Sequence, residues 1–207
     1  MQNTVNLTLI GYGEVGRIFA RDFLARGDVR VTAYDLKFDG PDGAALKDKA
    51  RAAGVTPAAN PSEAAAGADI VISAVTASSA LTVAEQAATY LKPGQMFFDI
   101  NSASPGTKTK AAQLVNACGA RYVEGAVMAP VPGPDLKVPI LSGGPAAEEA
   151  TKLLNNLGMN VKAVTTEPGR ASAMKLCRSI MIKGIEALIV DCAAASAKWG
   201  VQDEVFA

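Results

Sequence analysis

Short apolar runs alternate along the chain with longer, alanine-rich segments whose apolar residues recur every three or four positions, and the alternation persists to about residue 167. Short runs without polar alternation fit strands covered on both faces, and the segments between them carry a helical period. The chain therefore reads as successive βα units with a mainly parallel sheet. Strands are expected at Val5–Ile10, Val29–Tyr34, near Val55, at 69–75, 96–100, Arg121–Val127, 138–141 and 161–164. Helices are expected at 15–26, 43–53, 61–66, 79–91, Pro105–Ala117 and 146–157. Lys92-Pro93-Gly94 stops one helix, and Ser104-Pro105 sets a capping residue before a first-turn proline.

Beyond Pro168-Gly169 the texture changes: Arg170–Trp199 reads as one long helix, apolar on most sides rather than along one stripe. Such a helix expects to be covered by something. The expected architecture is an α/β domain over 1–167, followed over 168–207 by a long interdomain helix that begins an all-α C-terminal domain.

Composition narrows the partners. Lysine plus arginine and aspartate plus glutamate number 20 each, so no net field favours nucleic acid or an anionic membrane, and a small molecule is the expected ligand. The three cysteines, Cys118, Cys177 and Cys192, have no CxxC spacing, and there is no histidine, so no metal site is expected. Met1-Gln2-Asn3-Thr4 lacks the basic start of a signal peptide, which places the chain in the cytoplasm. The most apolar later stretch carries Lys183, Glu186 and Asp191, which argues against a membrane span.

Three constellations carry chemistry. Gly11-Tyr12-Gly13-Glu14-Val15-Gly16 lies between a strand and a helix. There the first glycine permits a tight turn, the second lets backbone approach a pyrophosphate, and the third lets helix and strand pack closely. The helix N-terminus adds N–H groups and a positive dipole end. Asp35 ends the second strand, where a carboxylate accepts from ribose hydroxyls and repels a 2′-phosphate. This favours NAD, although Lys37 could still receive a phosphate and keeps NADP open. Val75 and Thr76, at another strand end, are expected to line the same cleft. The arrangement is that of a Rossmann-type dinucleotide-binding domain.

The second constellation, Asp99-Ile100-Asn101-Ser102-Ala103-Ser104-Pro105, joins the fifth strand to a helix. It can hold a carboxylate, or Ser102 or Ser104 can simply cap the helix. The third is Gly169 to Ser179, with Lys175, Arg178 and Ser179 on one face of the long helix. A lysine on an otherwise apolar helix must pair, reach water or give up its proton; the plain alternative is a snorkelling surface lysine.

Taken together, in this order and over nearly the whole chain, these motifs resemble the β-hydroxyacid dehydrogenase family, which includes 3-hydroxyisobutyrate and 6-phosphogluconate dehydrogenases. Gly11, Gly13 and Gly16 match its cofactor loop, Asn101, Ser102 and Ala103 its substrate loop, and Lys175 its catalytic lysine. The resemblance implies hydride transfer between NAD(P) and a small hydroxyacid or aldehyde, with Lys175 as acid and base. Ser102, the Ala103 N–H, Arg178 and Ser179 would meet the substrate. Two departures stand out: Ala129-Pro130-Val131-Pro132-Gly133 replaces the family's Pro-Val-Ser-Gly-Gly loop, and Arg178 or Ser179 stands where an asparagine follows the lysine. The resemblance also implies further helices after residue 207, hence a shortened helical domain or one completed in a homodimer through the C-terminal helix. An NAD-binding sensor or assembly module without chemistry, and an imine reductase on the same scaffold, remain as alternatives.

Overall fold

The computed structural model describes residues 4–207; Met1, Gln2 and Asn3, part of the stretch read above for a signal peptide, lie outside the described residues. Contacts divide the chain into a unit ending at Ser172 and a second unit, Ala173–Ala207.

In the first unit the expected units appear nearly as drawn. The strands are β1 (Val5–Ile10), β2 (Val29–Tyr34), β3 (Thr56–Pro57), β4 (Ile70–Ser73), β5 (Met96–Asp99), β6 (Arg121–Val127), β7 (Pro139–Gly143) and β8 (Asn160–Thr165). The helices are α1 (Glu14–Leu24), α2 (Gly43–Ala52), α3 (Pro61–Ala65), α4 (Ala80–Tyr90), α5 (Pro105–Ala117) and α6 (Ala147–Asn156). The sheet order is β3-β2-β1-β4-β5-β6-β7-β8. The first six strands run parallel, while β7 is antiparallel to β6, a reversal that the apolar pattern does not reveal. The link from β6 to β7 contains only a single 3₁₀ turn, Asp135–Lys137, and so has no crossover helix of the kind a parallel pair needs.

Alternation within the buried strands fills both faces. Ile70 and Ile72 join Leu7, Leu9, Phe19, Phe23 and Phe98 on one side. Val71 and Phe97 join Ala84, Ala87, Ala111, Ala112 and Val115 on the other. The second face is lined largely by alanine, so α4 and α5 can approach the sheet and each other closely. Every residue of β4 and β5 is buried, as expected of central parallel strands.

The strand expected to reach Val75 ends at Ser73. Ala74 still donates to the Ile10 carbonyl at 2.8 Å, but the Val75 N–H turns to the side chain of Asn101 at 2.6 Å. Strands β1 and β4 are neighbours whose crossovers leave in opposite directions, and their carboxyl ends open the crevice where open α/β sheets place ligands.

The long helix α7 (Arg170–Trp199) and a short α8 (Gln202–Phe206) complete the chain. Within the second unit Ile180, Met181, Ile185, Leu188, Ile189 and Val190 are exposed. No helix among the described residues is long and apolar enough to cross a membrane.

Candidate functional site at the strand ends

The glycine loop follows β1 directly and leads into α1. Gly11 has φ +99°, and a Cβ there would stand 2.3 Å from the Ala74 carbonyl oxygen; one on Gly16 would stand 2.3 Å from the Gly11 carbonyl oxygen. Both positions are closed to any side chain by backbone. Gly13 differs: its φ of −74° suits any residue, and nothing lies within 4 Å of where its Cβ would be. No side chain caps α1, so its first-turn N–H groups face this open space with the positive end of the helix dipole.

The space belongs to a cleft of about 740 Å³ lined by Gly11, Gly13, Glu14 and Val15 from the loop, Asp35 and Lys37 after β2, and Val75 and Thr76 after β4. Asn60, Pro61, Ser62, Gln86, Thr89 and Tyr90 extend it. Asp35 holds the loop as well as lining the cleft, its carboxylate accepting the Tyr12 N–H at 2.7 Å and the Lys37 N–H at 2.9 Å. A carboxylate has about four acceptor positions, so capacity for hydroxyl donors remains. Tyr12 packs its ring against Phe38, with ring centroids 6.0 Å apart, and Gly16 packs under the loop, so these two shape the turn rather than the cleft wall. Of the lining residues, Tyr90 has its hydroxyl buried without a hydrogen-bond partner, and burial pushes it up to about 12.

These observations fit a dinucleotide: open amides for a diphosphate, a space no side chain fills, and a carboxylate in the same cleft at the end of the neighbouring strand. Gly13, Glu14 and Val15 would hold the phosphates, and Asp35 the adenosine ribose.

The second constellation is organised differently. Ser104 caps α5, accepting the Thr107 N–H at 3.1 Å, which decides which of the two serines caps the helix. Asn101 is buried; its amide oxygen accepts from Val75 N–H and its amide nitrogen donates to Ser73 Oγ at 2.9 Å. The Ala103 N–H donates to the Asn101 carbonyl at 3.0 Å, so this donor is engaged inside the turn. Ser102 is exposed.

Beneath this turn lies a buried polar group that the sequence reading did not single out. Lys108 on α5 is wholly buried, its Nζ 2.8 Å from Asp99 Oδ1 and 2.8 Å from the Asp99 carbonyl oxygen. Tyr122 donates its hydroxyl to Asp99 Oδ2 at 2.8 Å, and the Asn101 N–H donates to Oδ1 at 2.9 Å. Burial, reinforced by the Asp99 and Glu124 charges, holds the Tyr122 hydroxyl well above its ordinary range, so it stays a donor. Glu124, buried on β6, accepts the N–H groups of Gly169 at 2.6 Å and Ser172 at 2.7 Å, an anion on the first turn of α7. A sequence signal for Lys108 exists: it stands three, four and seven positions before Ala111, Ala112 and Val115, on the face that α5 buries. Glu124 similarly interrupts the apolar run from Tyr122 to Val127 in β6.

Lys175, Arg178 and Ser179 lie on α7 in the second unit; Lys175 and Ser179 are half-buried and Arg178 exposed.

Residues 6–165 match the family model described as the NAD binding domain of 6-phosphogluconate dehydrogenase. A solved structure of a conserved hypothetical protein from Sinorhizobium meliloti 1021 is 39% identical, with a TM-score of 0.89, over 98% of this chain and 68% of that one. A second, a conserved protein of unknown function whose structure is described as similar to 3-hydroxyacid dehydrogenases, is 32% identical with a TM-score of 0.83, over 97% of this chain and 73% of that one. The mitochondrial 3-hydroxyisobutyrate dehydrogenase of Drosophila melanogaster is 25% identical over 98% of this chain, which spans 61% of that enzyme.

Proposed function

Since the chain belongs to the family of NAD-binding domains of 6-phosphogluconate dehydrogenase, we propose that it serves a cytoplasmic oxidoreductase that moves a hydride between NAD and a small β-hydroxyacid or the related aldehyde. The observation that carries the reading is the empty neighbourhood of Gly13, set against uncapped amides at the head of α1 in a cleft that also contains Asp35. NAD is favoured over NADP because the Asp35 carboxylate would repel a 2′-phosphate. When bound, the nicotinamide supplies the hydride acceptor or donor.

The chain's own part is proton transfer and orientation. Lys175, as the neutral amine, would take the hydroxyl proton as the carbon–hydrogen bond gives up its hydride, and would return that proton in the reverse direction. Such assistance is worth roughly 10² to 10⁴-fold in rate. Ser102 would orient the carboxylate, with Arg178 and Ser179 as further contacts. The exposed apolar residues of α7 support a second copy of this chain as the partner that covers the helix.

The test is a screen of small hydroxyacids, aldehydes and imines for change in reduced-nicotinamide absorbance, coupled to calorimetry with NAD⁺ and NADH. Replacing Lys175 with alanine should remove turnover by ~10² to 10⁴-fold and leave NADH affinity within about twofold. Equal loss of both would make Lys175 structural. Clean NADH binding without turnover on any candidate would support a sensor, and absence of binding to any dinucleotide would overturn the whole reading.

A further inference from the structure

We propose that Asn101 is a positioning residue of the dinucleotide cleft: from the second wall of the crevice it locks the end of β4 against the glycine loop. The inference rests on the dinucleotide reading above and deepens it.

Asn101 is 4% exposed, and both ends of its side chain are engaged within the protein, the oxygen with Val75 N–H at 2.6 Å and the nitrogen with Ser73 Oγ at 2.9 Å. Those two bonds clamp the residues on either side of Ala74. Ala74 is the residue against which the loop turns, since a Cβ on Gly11 would stand 2.3 Å from its carbonyl oxygen and 3.0 Å from Val75 Cγ1. Val75 itself lines the cleft. A shift of a few tenths of an ångström at Val75 therefore moves the cleft wall and the support of the phosphate loop together.

Asn101 is in turn held from beneath. Its N–H donates to Asp99 Oδ1, and that carboxylate is fixed by Lys108 and Tyr122. The clamp thus has a rigid base, and a buried amide bonded at both its oxygen and its nitrogen holds one geometry where a solvated one would sample several. With its oxygen and nitrogen so occupied, Asn101 acts on the ligand through Val75.

NADH binding, followed by fluorescence or calorimetry on the full chain, is the direct test, with hydrogen exchange at the Val75 amide as a local readout. Asn101→Ala should weaken NADH binding ~10-fold and speed Val75 exchange, since a hydrogen bond of ordinary net strength is lost. Ser73→Ala removes the other bond of the clamp without adding a charge, and should weaken NADH binding ~3-fold and speed Val75 exchange less than Asn101→Ala does. Folded Asn101→Ala with unchanged NADH affinity would overturn the inference, and lost turnover at unaltered NADH affinity would return Asn101 to the substrate. Should that alanine variant of Asn101 fail to fold, Ser73→Ala decides alone: weaker NADH binding with faster Val75 exchange sustains the clamp, and unaltered binding and exchange refute it. No NADH binding by the unsubstituted protein would refute the dinucleotide reading itself and this inference with it, whereas normal binding there isolates any failure to Asn101.

Discussion

The head of α1 and the loop between β5 and α5 both lie at the carboxyl ends of the same sheet, where ligands of such folds collect, yet they treat polar groups in opposite ways. At α1 no side chain caps the helix and nothing occupies the space beside Gly13. At α5, Ser104 caps the helix, Asn101 is satisfied at both ends, and Asp99 has Lys108, Tyr122 and a backbone N–H around it. An open helix end awaits a ligand that completes it, whereas a filled one forms a rigid wall. A polar residue at a strand end is thus not by itself a contact for substrate, and the distribution of partners separates the two cases.

The contrast can be broken most forcefully at Lys108. Lys108→Ala leaves the Asp99 carboxylate buried beside a lost cation and should cost about 3–5 kcal/mol in urea denaturation; a cost below about 1 kcal/mol would mean that the filled end is not rigid for the reason given. Gly13→Val probes the open end. It should weaken NADH binding ~100-fold by filling the space beside the amides, while folding stability moves by no more than about 1 kcal/mol. If stability fell with affinity, the space would be structural.

The smallest expected effect concerns Tyr90, whose hydroxyl is the orphan of the cleft. Tyr90→Phe should stabilise the protein by about 1 kcal/mol, because a buried hydroxyl without a partner is removed. The same variant tests a pH effect. The folded state keeps the proton up to about 12, against 10.0 for the unfolded group, so stability does not depend on this group's titration below pH 10 and falls as pH rises from there to about 12. The phenylalanine variant should lose less stability across that window in thermal melts.

Much of this protein was legible along the chain because the information is local. Apolar runs, helical period, capping residues and the spacing of Gly11, Gly13 and Gly16 concern neighbours within a turn or two, and they set the βα order, the glycine loop and the long helix. The place of Asp35 at the close of the second strand was legible too. What tertiary structure alone decided has partners far apart in sequence. Examples are the reversal of β7 against β6, the bond from Asn101 to Val75 across 26 positions, and the reach of Glu124 to Gly169 across 45. Periodicity records which face of an element is buried, but the choice of partner for a buried charge depends on packing between elements. That is why a lysine on an apolar stripe and an acid inside a strand acquired their meaning only once the sheet had brought them together.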